Sequence, residues 1–291
     1  DYEGAYLAQE NFINNGQINW DRIYDANLTN NQSGLNAAYV LYEDRVDDTQ
    51  LTLNSAYSRE INDNIKFTTS VNYRNLVSDN FAEISDMLGG YSYSNIDSFD
   101  NLDYNLLSPN SIVSEGDKFK YHYKMNAEEF SLFTMMNFTF DKFELYLAGD
   151  LTNTTYQRDG IFENEANTGN SAGKGDQINF NGYGVKAGIT YKFSGKHILD
   201  FNSAFLQKAP SIRNTFTNSR VNHNVVGSDV SGLISNSPIT EEKIMSFDAN
   251  YIFFIQNIIY ACKKTNIIII YFPRLSTYHV HYHIIIKSFL F

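Results

Sequence analysis

The sequence predicts an all-β chain: an antiparallel transmembrane β-barrel present in part, with about seven to nine strands of a larger barrel. Three observations predict it. Apolar residues recur at every second position through long stretches, the period at which strand side chains return to one face. Of 291 residues, 21 are Tyr and 22 are Phe against a single Trp, and these ring residues sit better in strands than in helices. Short turns alternate strictly with long polar stretches.

The first hairpin follows from Gln50 onward. "QLTLNSAYSREI" places Leu51, Leu53, Tyr57 and Ile61 on one side, and Asn62-Asp63-Asn64 is turn chemistry. "IKFTTSVNYRNLV" then puts Ile65, Phe67, Val71, Tyr73 and Val77 on one face, with Lys66, Thr68, Ser70, Asn72 and Arg74 on the other. The second hairpin runs from Phe119 through a turn at Asp141. Its first strand changes parity, with Phe119, Tyr121, Tyr123 and Met125 at odd positions but Phe130, Leu132, Met136, Phe138 and Phe140 at even ones. A bulge between Asn126 and Glu129, or a strand leaving a bilayer, accounts for that slip. The third hairpin spans Gln177 to Lys208 around Ser194-Gly195-Lys196, and a seventh strand starts near Glu242.

Between the short turns lie polar stretches of 39 residues (78–116), 19 (158–176) and 32 (209–240). Compact domains usually connect elements with about 4–6 residues. Alternating long and short connections fit an outer-membrane barrel, with short periplasmic turns and long extracellular loops. Phe138, Phe140 and Phe143 at one short turn, and Tyr191 and Phe193 at another, suit the aromatic girdle of a membrane surface. On this reading the face with Ile189, Tyr191, Phe193, Leu199, Phe201 and Phe205 meets lipid. The face with Lys186, Thr190, Lys192, Asp200 and Asn202 meets a wet lumen or a plug. A secreted β-sandwich binding module offers the same periodicity and stays open as an alternative.

Charge and composition narrow the function. A formal net charge of -11 excludes a strongly basic nucleic-acid face. The one cysteine, Cys262, cannot form an intrachain disulfide. No stretch before residue 250 reaches the ~18 apolar residues of a spanning helix, so a membrane would be crossed by strands. The opening at Asp1, with neither initiator Met nor signal peptide, reads as a mature chain or one beginning inside a longer product.

Four stretches resemble TonB-dependent receptors of the kind found in Bacteroidetes: "NWDRIYDAN" (19–27), "YVLYEDRVDDTQLTLNS" (39–55), "LQKAPSIRNTF" (206–216) and "EEKIMSFDANYIF" (241–253). The resemblance covers roughly residues 1–252. It implies a 22-stranded outer-membrane barrel filled by an N-terminal plug, importing a siderophore, an oligosaccharide or a peptide. A TonB partner complex would supply the energy through a box preceding the plug. Plug, box and most of the barrel are not in this sequence, which reads as a fragment whose seven strands would leave two open edges.

The chain divides at residue 252. From Phe253 to Phe291 there is no Asp, Glu or Gly, ten residues are Ile, and the four charges Lys263, Lys264, Arg274 and Lys287 are all positive. Residues 1–252 hold all 33 acids and 18 of 22 bases, giving -15, so the composition breaks there. The tail reads as an out-of-frame or interrupted product, or as a remnant of the last strand ending at Phe291.

No catalytic constellation appears: there is no nucleophile elbow, phosphate loop or H-E-x-x-H. The expectation is a non-enzyme without cofactor, catalytic residue or metal site, with an adhesin or a barrel enzyme as alternatives. His279, His281 and His283 share a strand face but fall in the aberrant tail. Glu43, Asp44, Asp47 and Asp48 form an acidic cluster that reads as a solvated loop, their spacing matching no EF-hand. Ligand contacts of a receptor would come from loop aromatics such as Tyr91, Tyr93, Tyr104, Tyr156 and Phe162.

Overall fold

The computed structural model describes residues 2–14, 16–227, 239–254 and 279–283. Two helices open the chain, α1 (Tyr2–Asn14) and α2 (Trp20–Gln32). The strands are β1 (Leu41–Asn62), β2 (Ile65–Asp86), β3 (Tyr93–Ser94), β4 (Ile112–Val113), β5 (Lys118–Thr139), β6 (Phe143–Gly160), β7 (Gly173–Lys174), β8 (Ile178–Ser194), β9 (His197–Lys208), β10 (Glu242–Phe254) and β11 (His279–His283). A short helix α3 (Ile212–Thr215) lies between β9 and β10.

The protein is mostly antiparallel β-sheet. Its main sheet has nine strands in the order β1-β2-β5-β6-β8-β9-β10-β11, with β7 added to β6, and β3 and β4 form a separate two-stranded sheet. Long strands that are neighbours in sequence are neighbours in space, so each hairpin is closed by a short turn. At the first turn, Asn62 accepts the Asn64 N–H through its Oδ1 at 2.9 Å. Among the described residues the sheet does not close on itself: β1 pairs with β2 alone, and β11 ends the opposite side.

The three hairpins and the start of the seventh strand fall where alternation puts them. Other expectations change. Strand β2 runs nine residues beyond Val77, to Asp86, because Phe81, Ala82 and Ile84 keep supplying apolar anchors, so the expected loop from residue 78 starts later. The two N-terminal helices were not anticipated for an all-β chain. Asn19 caps α2, its Oδ1 accepting the Arg22 N–H at 3.0 Å.

No bulge lies between Asn126 and Glu129, where β5 pairs with β2 without a shift. The irregularity sits higher, where Phe81 faces His122 and Ala82 faces Phe119, leaving Lys120 and Tyr121 extra. Lys120 takes a positive φ of 62° there. The parity change has another cause. We call the face carrying Val71 the outer face and that carrying Thr68 the inner face. Odd residues of β5 lie on the inner face throughout, but what each face touches changes along the strand. Near its start the inner face is buried under loops; near its end the outer face carries the apolar side chains.

The core therefore sits at one end of the inner face. Ile84, Phe119, Tyr121, Tyr123, Met125 and Phe180 pack there with Ala37, Met87, Val113 and Phe216 from the connections. Burying one such ring contributes about 1.5–3 kcal/mol, which holds the 87–117 and 209–227 connections against the sheet. Asn27 ties α2 to the same end. It is fully buried, donates to the carbonyls of Tyr39, Met87 and Leu88, and accepts from the amides of Ala38 and Tyr39.

At the boundary expected after residue 252, β10 continues to Phe254 and β11 pairs with it, Asn250 opposite His283 and Phe254 opposite His279. The strand expected for the three histidines is thus present as backbone. The reading of the remaining tail lies outside the described residues.

Candidate functional site

The outer face carries an apolar band across seven strands. Direct pairing sets Tyr73 beside Phe130, Val71 beside Leu132 beside Leu151 beside Tyr183, and Phe67 beside Met136 beside Leu147 beside Ala187. Nearer the short turns, Phe138, Leu145, Ile189 and Phe201 form one row, and Phe143, Tyr191, Leu199 and Tyr251 another. These side chains are open to the surroundings: Leu147 is 55% exposed, Phe247 59% and Phe201 47%. Among the described residues no second sheet covers them, so the stacked faces of a sandwich are not seen. Exposed apolar area on this scale marks an interaction surface.

The band has sharp ends. Phe143 stacks on Tyr191 at 4.7 Å, and Tyr191 touches Phe193 at 4.6 Å, beside the short turns. At the other end the outer face turns polar within one pairing step, with Asn153 beside Asn181 and Glu128 beside Thr155. On β5 the apolar run from Phe130 to Phe138 covers eight steps of about 3.3 Å, close to the ~25 Å height of a lipid-facing barrel band once tilted.

Behind the band the inner face is a polar wall. Asp200 accepts from Thr190 Oγ1 at 2.7 Å and from Asn202 Nδ2 at 2.7 Å, while Tyr146 donates to Asn202 at 3.0 Å. Lys192 pairs with Glu144, and Arg74 with Glu129 at 3.3 Å. Apart from the Asn202–Asp200 bond within β9, these groups find their partners on other strands of the sheet, so one face is apolar and the other polar along the same strands.

Above this wall, two arginines clamp the 209–227 connection to the sheet. Arg220 lies 4.6 Å over the Tyr121 ring and pairs with Asp44 at 3.2 Å, while Tyr121 donates to Asp44 at 2.7 Å. Arg158 lies 5.1 Å over Tyr123, and Tyr156 donates to the Pro210 carbonyl at 3.0 Å. In the 87–117 connection Asp97 accepts from the Phe99 amide at 2.8 Å and from Tyr104 Oη at 2.9 Å. The Phe99 amide above all, and then the Tyr104 hydroxyl, hold the Asp97 carboxyl below its usual range against the opposing effect of burial.

The expected loop aromatics do not assemble into one site. Tyr91 stands exposed, Tyr93 packs on Phe119, Tyr104 serves Asp97, Phe162 packs on His122, and Tyr156 lies buried within β6 rather than in a loop. Nor do the acids form the expected solvated loop, because residues 43–48 belong to β1. Strand alternation puts Glu43 and Asp47 on the outer face and Asp44 and Asp48 on the inner, and Asp47 pairs with Arg45 at 2.9 Å. Among the described residues no group of three or more His, Cys, Asp or Glu could hold a metal ion, and no helix is long and apolar enough to cross a membrane. The two arginine clamps escaped sequence reading because the pairing partners are remote in the chain.

Comparison with protein families, with curated proteins and with solved structures returns no match. The fold and the two unlike faces of its sheet therefore carry the functional argument.

Proposed function

We propose that the chain is part of an outer-membrane β-barrel, with its outer face in lipid and its inner face lining a watery interior. The observation that carries this reading is the apolar band, exposed across seven strands, bounded by aromatics at one end and amides at the other, and backed by a polar wall. Strands cross a bilayer only when every backbone group is paired, so the edges of β1 and of the opposite side need further strands. Within barrels, the resemblance of four stretches to TonB-dependent receptors favours a receptor that imports a siderophore, oligosaccharide or peptide, driven through a TonB complex acting on a plug. The long connections gathered at one end would face the outside and meet the ligand there.

In a Cys262→Ser background, single cysteines placed at Val71, Leu147 and Phe201, and at Thr68, Lys186 and Asn202, separate the two faces once the full chain is reconstituted in lipid vesicles. Spin labels at the first three should be relaxed by oxygen dissolved in the bilayer, and labels at the second three by a water-soluble nickel chelate. Equal nickel accessibility of both sets would end the membrane reading. A plug-coding segment in the DNA upstream favours a receptor; an adhesin-type barrel has none.

A further inference from the structure

Three chain segments converge on Arg158 at the upper end of β6. The residue is 1% exposed, and among the described residues no carboxylate comes within ion-pair distance of it. Its Nε donates to the Ser219 carbonyl at 2.6 Å, and its Nη1 to the Ser171 carbonyl at 2.6 Å. The same Nη1 stands 3.1 Å from His223 Nδ1. A guanidinium only donates, so His223 Nδ1 must accept, and its ring proton belongs on Nε2, which lies 3.2 Å from the Ala172 carbonyl. Both ring nitrogens are then satisfied by the neutral imidazole and by one tautomer alone.

The ring has little room to move. A Cβ at Gly175 would come within 2.8 Å of His223 Nδ1, and one at Gly160 within 1.7 Å of the Ser171 carbonyl oxygen. Ser171 is itself fully buried. Histidine, guanidinium and the 171–175 segment are thus packed into one knot at the root of the 209–227 connection.

We propose that the Arg158–His223 contact is an acid-labile latch: it holds the 209–227 connection over the inner face, and protonation of His223 releases it. A proton on Nδ1 removes the acceptor and sets an imidazolium against a buried guanidinium. Asp159, next to Arg158, and Asp176, next to Gly175, are the acids whose charge reaches His223 through space, Tyr123 lies under the guanidinium, and Arg220 is turned away toward Asp44. Burial first, and then the Arg158 cation, keep the His223 pKa below its ordinary 6.5; the Ala172 carbonyl and the two carboxylates oppose this. A released His223 titrates near the ordinary value and so takes its proton first as pH falls. The latched-to-open ratio is then constant above about pH 7.5 and falls by up to about tenfold per pH unit below about 6.5, until the latched form protonates as well.

Release uncovers the upper inner face, because the same connection supplies Pro210 to Tyr156 and Arg220 to Tyr121. The latch rests on side-chain geometry and not on the transporter reading, so either can fail without the other. Hydrogen exchange of the full chain in detergent, read by mass at pH 7.5 and 5.5 and corrected for intrinsic rates, tests it. Peptides from 209–227 should lose protection at the lower pH, by up to about tenfold, while the histidine-free stretch 50–77 keeps its own. In His223→Gln, whose amide oxygen accepts without titrating, that loss should vanish. Unchanged wild-type protection overturns the latch, as does undiminished acid loosening in the variant. If the variant does not fold, the wild-type profile decides: onset only in the carboxylate range, below about pH 5, also overturns it.

Discussion

Asp44 and Arg220 lie 176 residues apart in the chain and 3.2 Å apart in space, joining the first long strand to the connection before β10. Both side chains are about half exposed, so the pair resembles a surface ion pair, worth about 0–1 kcal/mol. Its role is to place Arg220 over Tyr121 and so to position a loop. A double-mutant cycle of Asp44→Ala and Arg220→Ala, followed by denaturant unfolding in detergent, should give a coupling energy under about 1 kcal/mol. Exchange of the 209–227 amides should accelerate in each single variant. A coupling several times larger would mean that the pair is a stability element instead.

Asn27 behaves differently because nothing exposed can replace it. Its five hydrogen bonds hold α2 against the turn after β2 and the start of β1. Buried groups left unpaired cost about 1–3 kcal/mol each, so Asn27→Ala should detach α2 and open Arg22 to trypsin. Asn27→Asp keeps the two bonds from the Ala38 and Tyr39 amides but turns a carboxylate toward three carbonyls. It should rescue nothing. Protection of Arg22 in the Asp variant equal to wild type would show that the amide donors do not matter.

These two contacts show what was legible in the sequence. Strand positions follow from alternation, which is local, and the three hairpin turns could be read from Asn62-Asp63-Asn64, Asp141 and Ser194-Gly195-Lys196. The outer and inner faces were also legible, since Phe67 and Val71 against Thr68 and Ser70 differ by one residue in register. What could not be read is long-range. Phe119 to Met125 are apolar because loops bury them, whereas Phe130 to Phe138 are apolar on the face that stays bare. One strand serves two environments, and a parity count takes that for a bulge. Asn27, Arg158 and His223 look like ordinary residues until the chain is folded, because their partners come from 11 to 65 positions away.

Gly160 closes β6 where the 171–175 segment crosses it. An added methyl would meet the Ser171 carbonyl oxygen, a backbone atom that cannot swing aside. Gly160→Ala should therefore push that segment off the strand end and loosen the Arg158 Nη1 bond to Ser171. Exchange of residues 171–175 should accelerate, with the β1–β2 hairpin unaffected. Gly169→Ala, where a Cβ meets nothing within 4 Å, serves as a comparison whose strain comes only from its φ of +76°.

The Asp97–Tyr104 turn should respond to acid in a defined sense. A carboxyl whose folded pKa lies below its ordinary 3.8 stabilises the turn fully above that value and loses the contribution as pH falls through the lowered one. Ring resonances of Tyr104 should therefore stay constant down to about pH 4 and shift below it. Asp97→Asn should abolish the shift. A transition well above the carboxylate range would show that a group other than Asp97 governs the ring.

The sheet's two faces make the most demanding prediction, because they require unlike responses to the same substitution on opposite sides of one sheet. Leu147 sits mid-band on the outer face, between Met136 and Ala187. In a bilayer, Leu147→Arg should destabilise the assembled chain by about 2–4 kcal/mol, the cost of an arginine at the midplane of a barrel's lipid face. Ser70→Arg, on the inner wall opposite Phe133, should be tolerated within about 1 kcal/mol because the guanidinium stays in water. Denaturant unfolding in vesicles of one lipid composition measures both. A soluble sandwich would enclose the same apolar face and give the same order in lipid-free buffer, so a barrel is marked by a Leu147→Arg penalty that appears only when the chain assembles in vesicles. Equal penalties at the two positions would remove the asymmetry on which the lipid-facing assignment rests.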